Sequence, residues 1–194
     1  MDVFLCIKKP GYPGYVSVEH ICEYLFPSRE QFKYTIIVFK SKDVFNICIL
    51  LNGDIMLINY TDKELDLCAR LMRSEALSEG ELGMLMVGNV IVNRALVNCL
   101  DFKNVRTITD VIYQKNQFSG VNSSLFYSSA TSKEKELAKR VLRGEYYHPA
   151  TNALYFYYPG NNSCKSSWYG QLFSGRYKNH CFYEPEAGVC KELH

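Results

Sequence analysis

Between Glu81 and Asn98 the chain is apolar on nearly every face of a helix. Its longest apolar run, Met84 to Val92, is interrupted only by Gly88 and Asn89. A helix without a polar face belongs in the middle of a fold, with other elements packed around it. The run is too short to cross a bilayer, which takes roughly 18 apolar residues or more, and Asn93-Arg94 follow it directly. The rest of the chain must wrap this helix. With 194 residues it can do so without metal or disulfides, which become necessary below roughly 70–80 residues. Gly83 and Gly88 inside the helix each cost about 1 kcal/mol relative to Ala, so close approach of a neighbouring helix is expected there.

The residues around the central helix divide by composition. Residues 1–60 hold ten aromatic side chains, residues 61–112 hold one (Phe102), and residues 113–183 hold sixteen. The first stretch reads as a small α+β unit. Ser17 to Phe26 has a helical period, and Tyr34–Phe39, Val44–Leu51 and Ile55–Tyr60 read as three strands of a meander. Asn52-Gly53 between apolar runs is a strong hairpin signal. A second unit is expected from residue 61 to 194. Thr61-Asp62-Lys63-Glu64 is a capping box opening a helix to about Glu79, with Gly80 as its stop. Thr107 caps a short helix to Tyr113, and Thr131 caps another that ends near Gly144. Ala153–Tyr158 reads as a strand, followed by a loop-rich tail with short extended pieces. The fold class expected is α+β: a mainly helical domain with a small β-containing C-terminal part, preceded by the small N-terminal unit.

A net charge of +2 argues against nucleic acid as a partner, since such surfaces are strongly basic. No window predicts a membrane span. Val3–Ile7 is an apolar run of five residues followed by a basic pair, which is not the order of a secretory signal. Synthesis in a cytosol is therefore expected. None of the eight cysteines forms a C-x-x-C pair. They are expected mostly as small buried hydrophobes, with a late disulfide among Cys164, Cys181 and Cys190 if the protein reaches an oxidising layer. Cys164, His180, Cys181 and Cys190 match no standard zinc spacing.

Chemistry concentrates on two carboxylates. Glu75 and Glu79 are four residues apart, which puts them on one face of the predicted helix. Glu75 also continues the apolar stripe of Cys68 and Met72. A carboxyl in apolar surroundings has its pKa raised and becomes a general acid near neutral pH; the bland alternative is a frayed helix end in water. The aromatic segment 113–183 is interleaved with Gln114, Gln117, Asn152, Gln171 and Asn179. That pattern suits a polysaccharide groove, although most of its rings are expected in the core. No G-x-S-x-G, phosphate-binding loop or dinucleotide fingerprint is present. Cys181 and His180 are adjacent, and neighbours on a strand point to opposite faces, so a cysteine–histidine pair has little support.

Several segments together resemble the spore cortex-lytic cell wall hydrolase family, SleB/CwlJ type. They are Leu67-Cys68-Ala69-Arg70-Leu71-Met72-Arg73-Ser74-Glu75-Ala76, Val87-Gly88-Asn89 through Arg94, Ile112-Tyr113-Gln114, Gln117-Phe118, Ala153–Phe156 and Asn179–Tyr183. Gly83-Met84-Leu85, Asn98-Cys99 and Trp168-Tyr169 look more like the CwlJ branch. Residues 1–60 lie outside the resemblance. It implies a lysozyme-like domain that cleaves cortex peptidoglycan glycan during germination, with Glu75 as the catalytic acid of a lytic transglycosylase, which the SleB branch resembles, or of a hydrolase; the distance from Glu75 to the one other nearby acid, Glu79, favours the single-acid route. It further implies that Glu79, Gln117, Tyr155 and His180 contact substrate, while Asn93 and Arg94 brace the central helix. A calcium ion is suggested by the resemblance, and no run has EF-hand spacing. The placement implied is the boundary of spore coat and cortex, reached from the mother-cell cytosol without an export signal. Residues 1–60 carry no catalytic motif, and from their position alone docking to coat proteins is expected of them. The alternative is a non-catalytic peptidoglycan-binding or coat protein that keeps the fold. It would bind cortex fragments without releasing any.

Overall fold

In a computed structural model the structure describes residues 57–193, together with three strands of the N-terminal part. The chain divides into two compact units, Met1–Ile55 and Met56–His194. In the first unit β1 (Phe4–Ile7), β2 (Tyr34–Ser41) and β3 (Val44–Leu51) form an antiparallel sheet in the order β1-β3-β2. β2 and β3 pair from Tyr34↔Leu51 to Ser41↔Val44. The third strand of the predicted meander is not Ile55–Tyr60. The other edge of β3 is taken by Phe4–Ile7, with Cys6 opposite Cys48. Leu57 to Tyr60 form no strand: the Leu57 N–H donates to the Leu142 carbonyl at 3.0 Å, and Ile58 is buried in the core of the second unit. A short apolar run does not reveal whether it will pair with a strand or fill a neighbouring core. The helix predicted over Ser17–Phe26 and the Asn52-Gly53 turn lie outside the described residues.

The second unit is built on helices. α1 (Asp62–Ala76), α2 (Gly80–Leu96), α3 (Ile108–Tyr113), α4 (Ser124–Tyr127) and α5 (Ser132–Leu142) precede a four-stranded antiparallel sheet. The sheet contains β4 (Tyr155–Tyr157), β5 (Ser167–Trp168), β6 (Gln171–Tyr177) and β7 (His180–Glu184), in the order β4-β7-β6-β5. Thr61, Thr107 and Thr131 each close a reciprocal capping box with the acidic residue three positions on. Each cap stabilises its helix by about 1 kcal/mol.

α2 is the central helix, buried from Gly83 to Ala95. Its walls are Leu71 and Met72 of α1, Ile108 and Ile112 of α3, and Val141 and Leu142 of α5. Gly88 is where the helices meet: a Cβ there would lie 2.8 Å from Val141 Cγ2 and 3.1 Å from Met72 Sδ. Gly83 has a different cause. A Cβ there would collide with Glu79 Cβ at 2.2 Å, so this glycine makes room for the turn before α2 and not for a neighbouring helix. Asn93 Nδ2 donates to the carbonyls of Ala150, Thr151 and Ala153, which fastens α2 to the segment entering the sheet.

The loop-rich tail is a sheet with two aromatic-lined faces. Phe156 and Phe182 face one way, with Phe182 packed on Met86 and Val90 of α2. Tyr155, Cys181 and Tyr183 face the other way, in a second core closed by Phe102 and the C-terminal segment. Two disulfides lock that core, Cys99–Cys190 and Cys164–Cys181. Cys99, expected as a packing residue, is thus cross-linked. Its partner is 91 residues away, a separation at which only the folded chain identifies a pair. Cys68 is a free buried thiol pushed up to about 12 by desolvation, and behaves as a small hydrophobe.

Candidate active site

α1 does not run to Glu79 as a single helix. Ala76 leaves helical geometry (φ −139°), Leu77–Glu79 form one 3-10 turn, and Gly80 takes φ 79°, a conformation open to glycine at no steric cost. The break turns the chain into α2 and keeps Glu75 and Glu79 on one cleft. That cleft has a volume of about 430 Å³ and is lined by Ser74, Glu75, Ser78, Glu79, Ser119, Tyr158, Asn179 and His180. It is floored by the end of α1 and the 3-10 turn, and flanked by the Ser119-Gly120 loop and the start of β7.

Glu75 is half-buried. Burial raises its carboxyl above the ordinary glutamate value, although the Gly120 N–H, the Arg94 guanidinium and the Ser119 hydroxyl favour the ionised form. The backbone of Gly120 lies against this carboxyl and donates its N–H to Oε1. A Cβ at Gly120 would stand 2.7 Å from Glu75 Oε1 and 2.5 Å from Ser74 Oγ. The glycine thus lets a loop from a distant part of the chain reach the acid.

Arg94 is 2% exposed. Its Nε donates to the Leu154 carbonyl at 2.7 Å, and its guanidinium lies 4.5 Å from the Phe118 ring centre, 4.9 Å from Phe102 and 5.4 Å from Tyr155. Desolvation brings its pKa down to about 10, and it stays charged at neutral pH. It therefore braces the end of α2, and it also supplies positive potential to Glu75.

Glu79 behaves in the opposite way. It is 2% exposed. Burial opposes its charge, but the Asn179 side-chain amide and backbone N–H, His180 and the Ser78 hydroxyl together hold its carboxyl below the ordinary value. Asn179 Nδ2 donates to Oε1 at 2.9 Å and the Asn179 N–H to Oε2 at 3.2 Å. Glu79 lines the cleft as expected, and both of its oxygens already accept hydrogen bonds from the protein. His180 is buried beside it against the Phe156 ring, 5.1 Å away. Burial lowers the imidazole pKa while Glu79 opposes the fall, so the ring is neutral at neutral pH. Its Nδ1 makes no hydrogen bond with any described residue.

Two other expected substrate contacts do not line the cleft. Tyr155 is buried, its hydroxyl donates to Asp101 Oδ2 at 2.7 Å, and its ring stacks on Tyr169. Burial and the Asp101 carboxylate keep that phenol protonated. Gln117 is half-buried in the turn before Phe118, its N–H bonded to the Gln114 carbonyl. Ser74, Ser78, Ser119 and Tyr158 are cleft residues that sequence reasoning did not single out. For Tyr158 a signal existed: it follows Phe156 in strand alternation, which puts it on the His180 side of the sheet. It is 61% exposed and offers a ring face to a ligand. The serines carry no such signal. Among the described residues no three His, Cys, Asp or Glu side chains gather as metal ligands. No described helix is long and apolar enough to cross a membrane.

Comparison with known proteins gives a consistent result. The model of a family described as Cell Wall Hydrolase matches residues 78–183, a span that contains Glu79 and His180 and starts just after Glu75. The cell wall hydrolase CwlJ of Oceanobacillus iheyensis is 48% identical over 137 residues, covering 70% of this chain and 96% of that protein. The crystal structure of the catalytic domain of the Bacillus cereus SleB protein superposes with a TM-score of 0.53 at 23% identity, covering 66% of this chain and 96% of that one. The catalytic domain of SleB from Bacillus anthracis, described as a germination-specific lytic transglycosylase, gives 0.51 at 23% identity over 65% and 98%. The second unit therefore has the fold of the SleB catalytic domain.

Proposed function

This chain belongs to the cell wall hydrolase family, and from that premise we propose that it cleaves the glycan strands of spore cortex peptidoglycan with Glu75 as the single catalytic carboxyl. The observation that carries the reading is the contrast between the two acids of one cleft. Glu75 is pushed toward its protonated form and Glu79 is held ionised by its hydrogen bonds. Groups whose pKa values are driven apart are the usual sign of divided labour. Protonated Glu75 gives its proton to the glycosidic oxygen as the C1–O bond breaks. The Glu75 carboxylate then takes the proton of the muramoyl C6 hydroxyl, whose oxygen closes on C1. The carboxyl is regenerated and no water is consumed. The Gly120 N–H and Arg94 stabilise the carboxylate between the two steps.

Most glycoside hydrolases place a second carboxylate as base or nucleophile across the bond. Glu79 is poorly suited to either, because a carboxylate held below its ordinary pKa is a weak base and its oxygens are engaged. The single-acid route is also in keeping with a fold shared with a protein described as a lytic transglycosylase. Glu75→Gln keeps an acceptor for Gly120 and removes the proton. It should fold and lose cortex lysis. Continued lysis by the folded variant would end the proposal, and products one water heavier than the anhydro form would replace the transglycosylase route by hydrolysis.

The two disulfides fit a protein that finishes its life outside a reducing cytosol, in keeping with a coat–cortex position. The N-terminal unit is the proposed docking module for coat proteins. Because Leu57 and Ile58 pack in the second unit, the deletion that tests this stops at residue 55. Normal spore localisation of the shortened chain would refute the docking role.

A further inference from the structure

We propose that Glu79 is a positioning residue, which docks the tip of the β6–β7 hairpin onto the turn between α1 and α2 and so holds Asn179 and His180 in the cleft that contains Glu75. This rests on the reading of the cleft as a glycan site, and deepens it. The hairpin connection consists of Lys178 and Asn179, between Tyr177 of β6 and His180 of β7. It meets the turn at three points. Lys178 Nζ donates to the Glu79 carbonyl at 2.6 Å, and the two donors of Asn179 reach the two carboxylate oxygens. These contacts join residues about a hundred positions apart and come from both the main chain and the side chain of Glu79.

Two backbone features are fitted to this junction. Lys178 adopts φ 46°, a left-handed conformation uncommon for a long side chain. Gly83, one turn into α2, leaves open the space that Glu79 Cβ fills. The adjoining residue, His180, pairs with Tyr177 across the hairpin and packs its ring on Phe156 and Phe182, while its Nδ1 is buried without a hydrogen bond to any described residue. Its reach into the cleft is therefore set by how firmly the hairpin tip is seated. Glu79 acts through Asn179 and His180 and takes no part in proton transfer.

The test exchanges the members of the pair. Asn179→Asp sets two carboxylates against each other. Glu79→Gln removes the charge and keeps both bonds only by turning over the Asn179 amide, so that its Oδ1 accepts. The double variant E79Q/N179D restores both bonds in swapped form, because the introduced amide donates to the introduced carboxylate and its carbonyl still accepts the backbone N–H of position 179. With the full chain and isolated cortex peptidoglycan, Asn179→Asp should raise KM at least tenfold with kcat changed less than threefold, and Glu79→Gln should have a smaller effect of the same kind. The double variant should return KM to within about threefold of the starting protein. A double variant no better than Asn179→Asp would overturn the proposal. So would a Glu79→Gln protein that keeps KM and loses kcat as Glu75→Gln does, because that marks chemistry instead of positioning. Co-sedimentation of the same variants with cortex fragments in a Glu75→Gln background separates the two claims. It reports the seating of the hairpin whether or not Glu75 is the acid.

Discussion

Gly120→Ala places one methyl group against the proposed catalytic acid. The Cβ it adds would stand 2.7 Å from Glu75 Oε1, 3.0 Å from Glu75 Cδ and 2.5 Å from Ser74 Oγ. Gly120 does not take a left-handed φ, so the backbone accepts alanine and the whole effect is steric. To reach ordinary contact at 3.4 Å the carboxyl must retreat by about 0.7 Å. Displacement of a reacting group by 1 Å costs roughly 100-fold, so kcat should fall on the order of 10–100-fold. Overpacking of this kind also costs about 1–3 kcal/mol of stability.

The control is Gly88→Ala, which overpacks Val141 and Met72 and does not touch Glu75. Alanine gains about 1 kcal/mol in helix propensity there. The contact at 2.8 Å to a β-branched side chain that cannot turn away should outweigh that gain. Both variants should therefore melt earlier, and only Gly120→Ala should lose turnover per folded molecule. Anhydro-muropeptide release normalised to folded protein by circular dichroism measures the difference. Wild-type turnover by folded Gly120→Ala, or equal loss in both variants, would refute the placement of Glu75 against this loop.

The raised pKa of Glu75 has a sign that can be checked twice. The native state keeps this proton to a higher pH than the unfolded chain, whose glutamate releases it near 4.5. The favourable contribution is thus complete below that value and is lost as pH rises through the native pKa. Glu75→Gln should raise the melting temperature at pH 7 and leave it unchanged below about pH 4, and lysis by the unaltered protein should decline with rising pH through the same native value. Of the two disulfides, Cys99–Cys190 closes a span of 91 residues and Cys164–Cys181 one of 17. The loop-closure model assigns them roughly 4–5 and 3 kcal/mol, so Cys99→Ser should lower the denaturation midpoint more than Cys164→Ser under non-reducing conditions. Arg73 is buried, pairs with Glu134 at 3.0 Å and donates to the carbonyls of Leu125, Ser128 and Ser129. Arg73→Met should cost about 3–5 kcal/mol in urea denaturation; a loss under 1 kcal/mol would show that the loop before α5 does not depend on it.

Much of this protein is written locally. Thr61, Thr107 and Thr131 cap their helices through residues three positions away, so a short window contains the whole interaction. The all-round apolar character of residues 84–92 required a central helix, and α2 is one. The apolar stripe from Cys68 through Met72 to Glu75 put a carboxyl on an apolar face, because helical period alone decides which residues share a face; whether that helix end was packed or frayed into water was left to the tertiary structure, which half-buries Glu75. What tertiary structure decided is everything carried by distant partners. The predicted helix to Glu79 breaks at Ala76, where the hairpin tip from Lys178 and Asn179 engages the turn. Phe4–Ile7, and not Ile55–Tyr60, completes the N-terminal sheet, because either apolar run satisfies a strand edge and only one remains after Ile58 enters the helical core. Glu75 and Glu79 have the same chemistry and nearly the same position in sequence. One is driven toward protonation by burial, against the pull of the Gly120 N–H, and the other is held ionised by Asn179, a partner about 100 residues away. The ionisation of a carboxyl is set by the groups around it in space, and the chain order does not contain them.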